Sequence, residues 1–202
     1  MNNTLIKNPE LAQALVVAAQ QGAPNLPISV KTRIGYRVNE IETWIPKILD
    51  TPLSALTIHL RTREEMSGVP AHWEYMQRIV EIRNTARPDV RILGNGDVKN
   101  LDEARLKVEE TGCDGVMLGR AIYGNPWLYS KRESPPTREE KIQALKEHLA
   151  LFEDLMSATQ NYSVMKKHFK AYISGWECAK EERVRLMDTA KVSEALEILS
   201  AL

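Results

Sequence analysis

Ile92-Leu93-Gly94-Asn95-Gly96-Asp97 and Gly115-Val116-Met117-Leu118-Gly119-Arg120 share one form: a short apolar run that stops in glycine plus a polar side chain. A buried strand that ends against a bound phosphate has this form, because glycine lets backbone N–H groups approach an anion and a cation can complete its shell. Either stretch alone is also ordinary turn chemistry at a strand end. About one βα unit apart on successive strands, they match the place where barrels hold a cofactor phosphate.

Working outward, the pattern repeats upstream. Ile28-Ser-Val-Lys-Thr-Arg-Ile34 alternates, with Ile28, Val30, Thr32 and Ile34 on one face and Ser29, Lys31 and Arg33 on the other. Ala55-Leu-Thr-Ile-His-Leu-Arg61 alternates in the same way, setting Thr57, His59 and Arg61 opposite Leu56, Ile58 and Leu60. The polar faces read either as a lined pocket or as solvated strand faces. Between the strands lie helical periodicities over 9–20 (Leu11, Leu15, Ala18), 39–50 (Ile41, Trp44, Ile45, Ile48, Leu49, with Pro46 inside) and 72–87 (Trp73, Met76, Ile79, Val80 and the stem of Arg83). Pro46 is expected to kink its helix or reset the start. Asn100 with Glu103 opens a further helix that Gly112 ends. Strict helix–strand alternation with short connections predicts parallel strands and right-handed crossovers. Ligands of such folds bind at the carboxyl ends of the strands, where Arg33, His59, Arg61, Asn95 and Arg120 fall.

After Pro126-Trp127-Leu128 the composition changes. Ser134-Pro135-Pro136 reads as a linker, and Thr137-Arg-Glu-Glu140 as a capping box that opens a helix carrying Ile142, Leu145, Leu149 and Phe152 on one face. Further helices fit 163–176, 180–188 and 191–201. The expected domains are therefore 1–133, a partial barrel, and 134–202, all helical.

Twenty-seven basic residues balance twenty-seven acidic ones, so no global field draws the chain to nucleic acid. One local exception is Leu155 to Trp176, which has no acidic residue but carries Lys166, Lys167, His168 and Lys170, with Phe169, Tyr172 and Trp176 nearby. This is either a solvated helix face or an RNA contact. Two cysteines, Cys113 and Cys178, stand at no metal-ligand or redox spacing and predict a reducing compartment. Without an apolar run of membrane-spanning length, and with no basic-then-apolar start over Met1 to Glu10, a soluble cytoplasmic protein is expected.

At the strand ends, His59 reads either as a core histidine or as a pocket residue. In a pocket its imidazole could donate to a ring carbonyl or a phosphate, while Lys31 could stabilise negative charge on a reduced ring. Arg61 and Arg63 lie past the strand end, where guanidinium groups can grip phosphate bidentately; Arg63 also fits a solvated loop.

In order along the chain, Val30-Lys-Thr-Arg33, Thr57-Ile-His-Leu-Arg-Thr-Arg63, Ser67-Gly68 with Trp73, Gly94-Asn-Gly-Asp97, and Thr111-Gly-Cys-Asp-Gly-Val-Met-Leu-Gly-Arg120 followed by Gly124-Asn-Pro-Trp127 closely resemble the tRNA-dihydrouridine synthase family. The resemblance covers nearly the whole chain. It implies an α/β fold: the second half, the last four βα units, of a TIM (β/α)8 barrel holding FMN, followed by a small helical domain that helps grip tRNA. The implied reaction reduces the C5–C6 bond of particular uridines, with NADPH reducing the flavin.

Carried over residue by residue, Lys31 and His59 contact the flavin, Asn95, Gly96 and Asp97 border its ribityl chain and phosphate, and Gly119 and Arg120 bind the phosphate. Arg33, Arg61 and Arg63 face the target nucleotide, and Lys166, Lys167 and Lys170 meet the tRNA backbone. A flipped uridine stacked on the flavin fits the chemistry, since a base inside a helix cannot offer C6 to a hydride.

Two departures from the family pattern stand out. Leu60 replaces the usual glycine between the His and Arg of the second strand. The family's catalytic cysteine is expected upstream of this chain, together with the first half of the barrel, so no catalytic residue is assigned within it. Cys113 enters the last strand from the far end, and Cys178 lies in the helical region. An isolated half barrel exposes two strand edges, which calls for the missing half or self-association. Two alternatives share part of this pattern: another FMN barrel oxidoreductase acting on a small molecule, which leaves the 155–176 patch unused, and a non-catalytic RNA-binding or assembly module.

Overall fold

The computed structural model describes residues 3–130, 132 and 134–202. These divide into two compact units, one ending at Arg120 and the other running from Ala121 to Leu202.

In the first unit, strands β1 (Ser29–Arg33), β2 (Ala55–His59), β3 (Arg91–Asn95) and β4 (Gly115–Met117) form one sheet in the order β1-β2-β3-β4. Every neighbouring pair is parallel. Helices α1 (Pro9–Gly22), α2 (Ile41–Leu49), α3 (Met76–Ala86) and α4 (Leu101–Thr111) alternate with the strands as the apolar periodicity predicts. Leu56, Ile58 and Ile92 share one core with Trp44, Ile45, Ile48, Met76 and Ile79 of the helices. Burying side chains of this size stabilises by roughly 1.5–3 kcal/mol each. Trp44 adds a directional tie, donating from its ring nitrogen to the Thr32 hydroxyl at 2.9 Å. Leu60 lies in this core with no exposure.

Two helices differ from expectation. α2 runs through Pro46, so the proline does not reset the start of the helix. In a helix of nine residues the proline removes only one backbone bond, and burial of Trp44, Ile45, Ile48 and Leu49 on its core side outweighs that loss. In α1 the buried residues are Ala12 and Val16, while Leu11 and Leu15 are about half exposed at 47% and 50%. Among the described residues β1 pairs with β2 on one edge alone, and Leu15 lines an apolar cavity of about 320 Å³ between α1 and that strand, floored by Val30, Trp44 and Ile48.

The second unit contains α5 (Arg138–Leu155), α6 (Ser163–Tyr172), α7 (Ala179–Met187) and α8 (Val192–Ser200). Thr137 and Glu140 form the reciprocal capping box, and Ile142, Leu145, Leu149 and Phe152 are the buried stripe of α5, all as read from the sequence. Phe169 and Tyr172 are buried in the same core, which removes them from the surface beside the lysines of α6. The units divide at 120/121, earlier than the 133/134 boundary; Glu133 lies outside the described residues. Residues 121–130 pack into the helical unit: Leu128 is buried, and a Cβ on Gly124 would come within 2.4 Å of the Ala171 backbone. Among the described residues no helix is long and apolar enough to cross a membrane, and none of the His, Cys, Asp and Glu side chains cluster as a metal site.

Candidate functional site

Parallel register lines up residues across a sheet. Arg33 pairs with His59, His59 with Asn95 and Asn95 with Met117, so the last residues of the four strands form one row. Lys31 lies one step back in the same alternation, paired with Thr57. The strand ends thus bring together Lys31, Arg33, His59 and Asn95 on the face opposite the helix-covered core.

Beyond β2 the alternation stops. The Arg61 N–H donates to the His59 carbonyl at 2.8 Å, a tight turn that takes the chain out of the strand. Arg61 is therefore buried at 3% exposure instead of open to solvent. Its Nε donates to the Val69 carbonyl at 2.7 Å, Nη1 meets His59 Nε2 at 3.2 Å, and Nη2 donates to the Asp97 carboxylate. Asp97 also accepts from the Ala71 N–H at 2.9 Å and from Arg120 at 3.0 Å. The Arg61 hydrogen bond is the largest influence holding the Asp97 carboxyl below the usual aspartate range. The two glycine-ended stretches are thereby joined through the Asp97–Arg120 ion pair.

Their glycines differ in purpose. A Cβ on Gly94 would lie 2.5 Å from the Trp73 ring, and one on Gly96, whose φ is +139°, would lie 2.6 Å from Ala71 Cβ. Trp73 covers this turn and donates from its ring nitrogen to the Gly96 carbonyl at 3.0 Å. Gly119 has nothing within 4 Å of an added Cβ, and the N–H groups of Gly96, Asp97 and Gly119 have no acceptor among the described residues. Open N–H groups and the exposed Arg120 form a corner whose donor chemistry suits an anion. The Asp97 carboxylate also stands there, and its pairing with two arginines makes it an orienting group for them.

The cationic side of the row is partly desolvated. Burial, followed by Arg33, holds Lys31 below the usual lysine range. His59 is lowered to about 4, first by burial and then by Arg33, Lys31 and Arg61, with Asp97 opposing. Arg33 donates to the Thr62 carbonyl at 2.8 Å. Arg63 is exposed on the same loop, and its Nη1 approaches Met66 Sδ at 3.8 Å. The loop is further tied by Glu65, which accepts from the Thr62 N–H at 2.6 Å and meets His72 Nε2 at 2.9 Å.

The remaining sequence-predicted side chains have partners of their own or belong to the helical unit. Asn95 spends its side-chain amide on the Met117 carbonyl at 2.7 Å. In the helical unit Lys166 donates to the Met187 carbonyl at 2.6 Å, at the C-terminal end of α7, while Lys167 and Lys170 are exposed. Cys113 is buried ahead of β4 and donates to the Gly115 carbonyl; Cys178 opens α7. Sequence reasoning missed the roles of Trp73, Ala71 and Val69 at the strand ends. Gly94 inside a strand was the available signal, since such a glycine marks close approach by another group.

A family described as "Dihydrouridine synthase (Dus)" matches residues 3–202. Proteins named probable tRNA-dihydrouridine synthase from Staphylococcus epidermidis and Staphylococcus aureus are 36% identical over 197 residues, covering 96% of this chain. A Bacillus subtilis protein named probable tRNA-dihydrouridine synthase 2 is equally similar, at 36% over 197 residues and 96% of the chain. The chain spans 60% of the length of each of these relatives. With the match extending from the first strand motif through the last helix, the chain belongs to the dihydrouridine synthase family.

Proposed function

We propose that this chain carries the phosphate end and the substrate-facing cations of an FMN-dependent tRNA-dihydrouridine synthase. The observation that carries the reading is the row of Lys31, Arg33, His59 and Asn95 at the strand ends, flanked by the Asp97–Arg120 corner. The donor set fits FMN: open N–H groups of Gly96, Asp97 and Gly119 with Arg120 suit the phosphate, and Lys31 with His59 suits the polar edge of a flat ring. Bound FMN supplies hydride chemistry, replenished from NADPH.

In this reading Lys31 stabilises negative charge at the ring edge, and desolvation strengthens that attraction. Trp73 and the Ala71 backbone shape the turn that presents the N–H groups. Arg33 and the exposed Arg63 face the nucleotide, whose target base reaches the site flipped out of its stack. Arg61, carried over with them as a nucleotide contact, acts from beneath through His59 and Asp97. Lys167 and Lys170 bind tRNA phosphates, with Lys166 contributing field while it holds Met187.

Reduction of uridine adds a hydride at C6 and a proton at C5. Cys113 is buried ahead of β4, at the end of the sheet away from this row, and the family resemblance assigns the proton to a cysteine on the other half of the barrel, provided by a longer polypeptide or by a partner chain. The 202 residues alone are expected to be inactive. The working protein is placed in the cytoplasm with its tRNA.

Deleting the gene and measuring nucleosides of purified tRNA by mass spectrometry tests the proposal. Loss of dihydrouridine, restored by the wild-type gene and not by one encoding Lys31→Ala, is the expected result. Unchanged dihydrouridine in the deletion strain overturns it.

A further inference from the structure

We infer that Arg61 is a positioning residue that fixes His59 as a neutral imidazole with its single proton on Nδ1, so that His59 offers its ligand a hydrogen bond and no proton. This rests on the functional reading above only for the identity of that ligand.

Hydrogen-bond bookkeeping at the contact carries the inference. A guanidinium has five N–H donors and no acceptor, and it keeps its charge at any pH at which the protein is folded. Nη1 of Arg61 lies 3.2 Å from His59 Nε2. Only a bare Nε2 can accept there, because a proton on that nitrogen would set two donors against each other. A neutral imidazole with a bare Nε2 carries its proton on Nδ1.

Arg61 has little freedom to turn away. Its other nitrogens are bound to the Val69 carbonyl and to Asp97, and the side chain is 3% exposed. Asp97 is itself fixed by the Ala71 N–H and Arg120, with φ at +58°. The ring edge agrees with this assignment. His59 Cδ2, adjacent to Nε2, is the His59 atom within contact of a Cβ on Gly96, at 3.5 Å, behind Ala71 Cβ at 2.6 Å. The Nε2–Cδ2 edge therefore packs inward, and Nδ1, on the other side of the ring, has no partner among the described residues.

The charged groups facing the imidazole are Lys31 and Arg33 from β1, Arg61 from the loop after β2, and Asp97 from the loop after β3. Three cations against one carboxylate oppose a second proton on the ring, in the same direction as burial. At neutral pH the row therefore presents two cations, Lys31 and Arg33, and one neutral N–H. The matching ligand atom is an acceptor, a ring carbonyl or a phosphate oxygen. A ring that holds no proton on Nε2 and resists gaining one is a poor general acid, so the proton for C5 comes from another group.

Two-bond 1H–15N correlation of the ligand-free chain, labelled at histidine nitrogen, reads the tautomer directly. His59 is assigned by loss of its signals in His59→Gln. The expected pattern is a pyrrole-type Nδ1 and a pyridine-type Nε2, unchanged between about pH 5 and pH 8. An Nε2–H tautomer or an imidazolium at pH 7 overturns the inference. In Arg61→Met the acceptor requirement is gone, and an Nε2–H population is expected together with titration closer to that of free histidine. A folded Arg61→Met whose His59 pattern matches wild type overturns the part assigned to Arg61. If that variant does not fold, Arg61→Lys keeps a donor and is expected to keep the Nδ1–H tautomer; a folded Lys variant with Nε2–H contradicts the inference. The measurement needs no flavin or tRNA. A deletion strain with normal dihydrouridine would overturn the functional reading and leave the tautomer standing.

Discussion

The two cation-rich regions of this chain are built in opposite ways. At the strand ends Arg61 is buried, with each of its three nitrogens bonded to a different partner. On α6, Lys167 and Lys170 are exposed, and their neighbour Lys166 is spent on the end of α7. Buried cations with fixed partners set geometry and tautomer. Exposed ones supply a field that salt can screen. Strand-end substitutions are therefore expected to be costly and local, and lysine substitutions cheap in stability and visible only in binding.

The largest expected effect comes from Gly94→Val, which drives a side chain into the Trp73 ring 2.5 Å away. A loss on the order of 3 kcal/mol in urea unfolding is expected, because neither the strand nor the indole can shift without breaking the turn. An unchanged midpoint would break the claim that this corner is closely packed. Asp97→Asn comes next. It removes the carboxylate shared by Arg61 and Arg120, and because Asp97 is 37% exposed the expected loss is only about 1–2 kcal/mol.

The pH dependence sharpens the contrast within the first unit. Between about 4, the value for folded His59, and the ordinary value near 6.5, the unfolded chain takes a proton that the folded chain refuses. Stability therefore rises with pH across that window, and His59→Leu should flatten the slope in a pH series of unfolding curves. The depressed Asp97 acts with the same sign in more acid solution, its contribution fading as pH falls through its folded value. His72 has the opposite sign. Hydrogen bonding to Glu65 raises it, so its contribution is complete below the unfolded histidine value and is lost as pH rises through the folded one.

The smallest effect on stability belongs to the double substitution Lys167→Ala, Lys170→Ala, within about 0.5 kcal/mol of wild type. Its effect on tRNA is expected in the salt dependence, where the slope of log K against log salt should fall by about 1 for each phosphate that no longer meets a lysine. An unaltered slope would reduce this face of α6 to solvated surface.

Much of this organisation is legible in the amino-acid order alone. Apolar periodicity locates α1, α2, α3 and α5, capping residues locate α4, and alternation within β1 and β2 separates Lys31, Arg33 and His59 from the core side, a face that parallel register makes common. Thr137 and Glu140 announce α5 by local chemistry. What stays hidden is set by the loops. Alternation puts Arg61 beside His59 as one more pocket-facing side chain, but the turn at His59 folds it under the site. Leu11 and Leu15 look like a buried stripe, yet Ala12 and Val16 take that position on α1, since periodicity fixes a helix face only to within about one residue. The basic patch keeps its lysines but loses Phe169 and Tyr172 to the core, as a composition count carries no direction.

The central claim, that these strand ends hold the phosphate end of FMN, is tested most directly by titrating the chain against FMN and riboflavin and following flavin fluorescence. Binding of FMN by the 202 residues is expected to be weak, with riboflavin about tenfold weaker or more, and that preference should be lost in Arg120→Ala. Equal affinity for the two flavins, or a preference unaffected by Arg120→Ala, would contradict it.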